Sequence, residues 1–151
     1  MEQADISSLI QCNLQQLHLL HPVPHSFKEG MFKLPNIKGF QETMHFLLNI
    51  IEPVKCAKMV PWPLLDKKAE SQFRISVKVL LMEINGDYPQ ANLPKISPSF
   101  LMNPGGEKFE YVMWKLTKFA LFRCLCQTYG TSDMLFPPRT FSNDSLAGAK
   151  L

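Results

Sequence analysis

The sequence predicts an all-α domain, and three observations carry that reading. Apolar residues recur at threes and fours in successive stretches, which is the spacing of one helix face. Prolines sit between those stretches and not inside them, most plainly at Val60-Pro61-Trp62-Pro63 and at Asn103-Pro104-Gly105-Gly106. No segment alternates as a half-buried strand would, no strand-helix-strand order is visible, and no internal repeat appears. A chain of 151 residues with 46% hydrophobic content is long enough for one domain with a continuous core.

Asp5 or Ser7 caps a first helix whose apolar positions are Ile6, Leu9, Ile10, Leu14, Leu17 and Leu20. It stops near His21, because Pro22 and Pro24 disfavour helical geometry in the residues before them. The segment from Phe27 to Lys33 reads as a short turn pinned by Met31 and Phe32, with Pro35 and Asn36 as punctuation. A second helix runs from Ile37 to Glu52, with Phe40, Met44, Leu47, Leu48 and Ile51 on one face and Phe46 and Ile50 on its flank. Such a helix is buried on most sides. Pro53 ends it, and Val54 to Met59 reads as a basic connector to the Pro-Trp-Pro corner.

Asp66 or Ser71 opens the next helix, where Phe73, Val77, Leu80, Leu81 and Ile84 form one stripe and Ile75, Val79 and Met82 form another. Its polar strip, Glu70, Arg74 and Lys78, is narrow. Asn85-Gly86-Asp87 is the expected stop, because glycine readily takes the left-handed conformation that closes helices. Pro89 to Pro98 is an irregular connection carrying Leu93 and Ile96. The last helix, from Gly106 to about Tyr129, is the longest and most apolar, with Phe109, Val112, Met113, Leu116, Phe119, Ala120 and Leu125 in one arc widened by Trp114 and Leu121. A helix of that kind threads the centre of an all-α bundle. Residues 1–130 are therefore expected to be the domain, and 131–151 a Ser/Thr/Pro-containing tail or linker.

Composition narrows the function classes. The charged fraction is 19% and the net charge +3, a mild excess that suits an acidic partner without requiring one. Cys12, Cys56, Cys124 and Cys126 lack zinc-ribbon spacing and no signal sequence opens the chain, so they read as reduced, cytosolic, core-filling thiols. No apolar run approaches the roughly 20 residues that cross a bilayer. His18, His21 and His25 with Cys12 are the one cluster with metal-ligand chemistry, but Pro22 and Pro24 break the scaffold between them. Histidines in a last helical turn also favour the dipole end without any ligand, so no metal is expected. Pro104-Gly105-Gly106-Glu107-Lys108 lacks the preceding strand, the glycine separation and the Lys-Ser/Thr pair of a phosphate loop, and reads as a helix-start turn whose second glycine allows close packing. There is no Ser-centred elbow, no His-Glu-x-x-His and no acid cluster, so neither catalysis nor a cofactor is expected.

The basic residues fall into two strips. Lys108, Lys115 and Lys118 lie within about 80° of arc on the last helix, bracketing Tyr111 and Phe122. Lys67, Lys68, Arg74 and Lys78 make the second strip. Each reads equally as a solubilising face, and two strips that met in space would form a patch for an acidic polymer, nucleic acid or tubulin alike. Trp62, between two prolines, and Trp114 read as core or clamp residues.

Several ordered markers carry a family resemblance across most of residues 27–125: Met31-Phe32-Lys33-Leu34 with Phe40 and Phe46-Leu47-Leu48, then Trp62-Pro63 with Leu65-Asp66, Glu70 and Phe73-Arg74. Tyr88-Pro89-Gln90, Leu101 through Pro104-Gly105-Gly106, and Lys108-Phe109 complete the series. Together these resemble the N-terminal, calponin-homology-like domain of the sixth subunit of augmin, also called the HAUS complex.

The resemblance implies a calponin-homology-like helical bundle with a long central C-terminal helix, leading into coiled coils that this chain lacks. It implies no catalysis, metal, cofactor, nucleic acid or membrane. Its implied partners are microtubules through tubulin, other augmin subunits including a second calponin-homology-like one, and the γ-tubulin ring complex through the whole assembly. The implied location is cytoplasm and cytoskeleton, at the mitotic spindle and centrosome. On that reading Lys67, Lys68, Arg74, Lys78, Lys108, Lys115 and Lys118 are candidate microtubule contacts. The alternative is a subunit-pairing module without direct microtubule contact, using an apolar patch at Phe122 and Leu125.

Overall fold

Asp5, Asn36 and Asp66 each stand where a short polar side chain takes an otherwise unpaired amide of a helix's first turn, and each begins a helix. Their side-chain oxygens accept the N–H groups of Ser7 (3.4 Å), Gly39 (2.9 Å) and Ala69 (2.7 Å). The computed structural model describes residues 5–129. Among them five α-helices follow in order: α1 (Ile6–Leu17), α2 (Ile37–Ile51), α3 (Pro53–Met59), α4 (Lys67–Asp87) and α5 (Glu107–Tyr129). Short 3-10 turns occupy Pro89–Ala91 and Phe100–Met102, and no strand occurs among the described residues. The all-α expectation holds.

Four local expectations need correction. First, α1 ends at Leu17 and not near His21; the chain continues as a looser turn in which His18 Nδ1 accepts the Val23 N–H at 3.0 Å and Leu19 and Leu20 are exposed. The prolines thus act one turn earlier than expected. Second, the supposed connector after Pro53 is the helix α3. Proline sits at its first position, where a missing N–H costs no hydrogen bond.

Third, Gly86 does not close α4. The helix runs through it to Asp87 and stops at Tyr88, the residue restricted by Pro89. The left-handed residue of this region is Asn92, with φ 48°. Asn85 braces the turn instead, accepting the Leu93 N–H at 2.9 Å and donating to the Leu93 carbonyl at 3.2 Å.

Fourth, the close approach before α5 belongs to the first glycine and not to the second. Gly105 is the close-packed one: a Cβ there would lie 2.3 Å from the Leu34 carbonyl carbon and 2.4 Å from the Pro35 nitrogen. Gly106 has open space around it but adopts φ 94°, a conformation that favours glycine. Asn36 N–H donates to the Pro104 carbonyl at 3.1 Å, and Gly106 N–H to the Phe32 carbonyl at 2.8 Å. Two separated stretches of sequence, 32–36 and 104–106, are thereby joined backbone to backbone.

The chain divides after Ala120 into two units. In the first, Phe109 of α5 is the hub of an aromatic core, with ring centroids 5.0 Å from Phe32, 5.9 Å from Phe40 and 6.1 Å from Phe100. Phe40 in turn meets Phe73 of α4 edge-on at 5.6 Å. A polar seam ties α1 to α5: the buried Ser7 hydroxyl donates to the Glu110 carboxylate, and Asn13 Nδ2 donates to Thr117 Oγ1 at 3.0 Å. The described part of the second unit is the last turns of α5, where Thr128 Oγ1 donates to the Cys124 carbonyl at 2.9 Å. The expected tail, 131–151, lies outside the described residues.

Candidate functional site

Burial of Phe109, Val112, Met113, Leu116, Phe119 and Ala120 fixes which side of α5 faces the core, and so fixes which side faces out. The outward side carries Lys108, Tyr111, Trp114, Lys115 and Lys118. Residues four apart on a helix are neighbours, so each aromatic ring can support a lysine one turn on. Lys115 Nζ lies 5.5 Å from the Tyr111 ring centroid, and Lys118 Nζ lies 4.4 Å from that of Trp114. The two rings are tilted against each other, with centroids 5.8 Å apart. Each cation–ring contact contributes about 0.5–1 kcal/mol at an exposed site.

None of the seven candidate cations has a carboxylate at ion-pair distance among the described residues. The ion pairs lie elsewhere, Lys33 with Asp5 and Lys55 with both Glu83 and Asp87, each at 3.2 Å. The hydrogen bonds to Asp87 and, next, Glu83 hold the Lys55 ammonium above its usual pKa. The strip cations thus keep their charge free of direct carboxylate pairing among the described residues. Lys108 and Tyr111 also line an apolar groove of about 800 Å³, with Ile6, Ile96, Phe100 and Val112.

On α4, Lys67 and Lys68 are exposed in the first turn, and Arg74 and Lys78 are half-buried. Beside them the second apolar stripe lies open to solvent: Ile75 is 46%, Val79 38% and Met82 60% exposed. Sequence reasoning recognised this as a second apolar stripe without deciding which of the two the fold buries. Phe122 and Leu125, the expected pairing patch, are only partly exposed.

The tryptophans part company. Trp62 clamps the corner as expected, stacked on His45 at 4.2 Å with 5° between the planes and 6.0 Å from Phe73. Trp114 is a surface platform for Lys118, a role that the Trp-x-x-x-Lys spacing signals and the core-or-clamp reading missed. Burial lowers the pKa of His45 and pushes the Cys56 thiol up to about 11. No group of three His, Cys, Asp or Glu among the described residues is placed to hold a metal, and none of their helices is long and apolar enough to cross a membrane.

The profile of the family described as HAUS augmin-like complex subunit 6 N-terminus matches residues 10–147. The chain belongs to that family. The HAUS augmin-like complex subunit 6 of Danio rerio is 30% identical over 110 residues, covering 72% of this chain and 14% of the relative. The Homo sapiens protein of the same name is 24% identical over 96 residues, covering 62% of this chain and 10% of the relative. The chain thus spans about a seventh or less of the length of these subunit 6 relatives. The family match reaches further than the 27–125 resemblance, taking in most of α1 and residues beyond Tyr129. Membership makes this an N-terminal region of an augmin complex subunit.

Proposed function

We propose that this chain is a non-enzymatic microtubule-binding and assembly domain of the augmin complex, with a calponin-homology-like fold, working at the spindle and centrosome in γ-tubulin-dependent branching nucleation. The observation that carries the reading is the outward face of α5, where Lys115 and Lys118 are supported on aromatic rings and have no carboxylate partner among the described residues. A rigidly supported cation loses little conformational freedom when it meets an acidic surface such as tubulin's exterior. Lys108 extends this face, and Lys67, Lys68, Arg74 and Lys78 add to the positive field that draws the domain to the lattice.

Cosedimentation with stabilised microtubules over a salt series tests it. Binding should fall as salt rises, because exposed charges further apart than a Debye length of about 8–10 Å are screened. Trimming tubulin's acidic tails with subtilisin should weaken it, and the double change Lys115→Glu with Lys118→Glu should reduce it by at least about tenfold in a domain that still folds. Unchanged binding by that variant sinks the site assignment. A second reading, subunit pairing, is favoured by the open Ile75, Val79 and Met82 stripe more than by Phe122 and Leu125.

A further inference from the structure

A helix that packs on one face usually presents charged or polar residues on the other. The stripe on α4 breaks that pattern. At 100° per residue, Ile75, Val79 and Met82 fall within about 60° of arc, and their i, i+4, i+7 spacing makes one line about 10 Å long up the helix. All three are open to solvent, while the opposite side of α4 buries Phe73, Val77, Leu80 and Ile84 in the core.

The charges along the stripe are uneven. Lys67, Arg74 and Lys78 lie within about 40° of one another and form one edge, and Lys68 stands at the N-terminal end of the line. Among the described residues these four have no carboxylate at ion-pair distance. Glu83, on the other edge, and Asp87 are already engaged by Lys55. The exposed surface is therefore an apolar ridge with a predominantly basic border, in which Glu70 is the one carboxylate of the polar strip and forms no ion pair with these cations.

We propose that this ridge of α4 is a docking surface for an amphipathic helix supplied by another subunit of the complex, with apolar residues at matching spacing and Asp or Glu along one side. A line of side chains four and three residues apart is the ridge that interlocks with the grooves of a second helix. The basic border selects the partner's sign. A second copy of this chain would bring like charges together and is disfavoured on that ground. The bare acidic surface of a polymer would satisfy the lysines and leave the apolar ridge in water. The proposal rests on the chain's membership of a multi-subunit complex and is independent of microtubule contact by α5.

The test uses the full-length subunit in the purified complex. Benzoylphenylalanine in place of Val79, activated by light, should cross-link to one segment of another subunit, and that segment should show the i, i+4, i+7 apolar pattern with acidic flanks. In parallel, the double change Ile75→Glu with Met82→Glu should leave the helical spectrum and melting temperature of the isolated chain unchanged, because both sites are exposed, yet cut recovery of the assembled complex at least tenfold. Lys115→Glu with Lys118→Glu should leave assembly intact, so a failure of the microtubule reading is seen separately. Cross-linking confined to tubulin, to this same chain or to a second copy, or no cross-link at all, overturns the proposal, as does normal assembly of the Ile75 and Met82 double variant.

Discussion

Three glycines separate what a missing side chain can do. Gly105→Ala would drive a Cβ to 2.3 Å from the backbone of Leu34, which cannot swing aside, so a loss of about 3 kcal/mol in urea unfolding is expected. Gly86→Ala meets nothing within 4 Å inside a helix, so a gain of up to about 1 kcal/mol is expected from the same measurement. The sequence marked Gly86 as a helix stop and Gly106 as the close approach, and both assignments fail for one reason. Whether a glycine is used for its φ or for its lack of a Cβ depends on what lies opposite, and Leu34 is some seventy residues away in the chain. His45 gives a pH test. Burial against Trp62 lowers its folded pKa below the usual value of about 6.5, so the unfolded chain binds the proton more readily. Its stabilising contribution is complete above that value and is lost as pH falls from it through the lower folded pKa. His45→Phe, which keeps a ring over Trp62, should flatten the stability profile between pH 7 and 5; an unaltered slope would remove His45 as its source.

At the scale of elements, the legible features were those with a local cause. Asp5 and Asp66 were readable as caps and the face of α5 as core, because both follow from residues within one or two turns. The helix after Pro53 was not, since proline stops a helix from within and starts one at its first position, and seven residues carry too little periodicity to decide. The aromatic hub was visible as residues and invisible as a hub. Phe109 touches Phe32, Phe40 and Phe100, contributed by two turns and α2. Phe109→Ala should cost about 3–5 kcal/mol in chemical denaturation, while truncating the exposed Ile75 to Ala should stay within about 0.5 kcal/mol. A large loss at Ile75 would mean that the α4 ridge supports the fold instead of facing a partner.

For the molecule as a whole, the mild net charge of +3 says less than its distribution. Carboxylates are engaged at Asp5, Glu83, Asp87 and Glu110, and among the described residues the seven strip cations have no carboxylate at ion-pair distance. A single domain with such strips should bind an acidic lattice weakly alone and far more tightly when several sites act together, so the salt-dependent affinity of the complex should exceed that of this chain by about 10² or more. Equal affinities for the two would place the main lattice contact in this domain alone. The amino-acid sequence by itself determined the helical class, most helix starts, the core face of the last helix and, through ordered markers from Met31 to Phe109, the family. Those are properties of spacing and local hydrogen bonding, which need no knowledge of distant residues. The tertiary structure alone decided that Trp114 supports Lys118 at the surface, that Gly105 lies against Leu34, and that the Ile75, Val79 and Met82 stripe is left uncovered. Each depends on which helix faces are covered, and a helix with two apolar stripes does not record which of them the rest of the chain will bury.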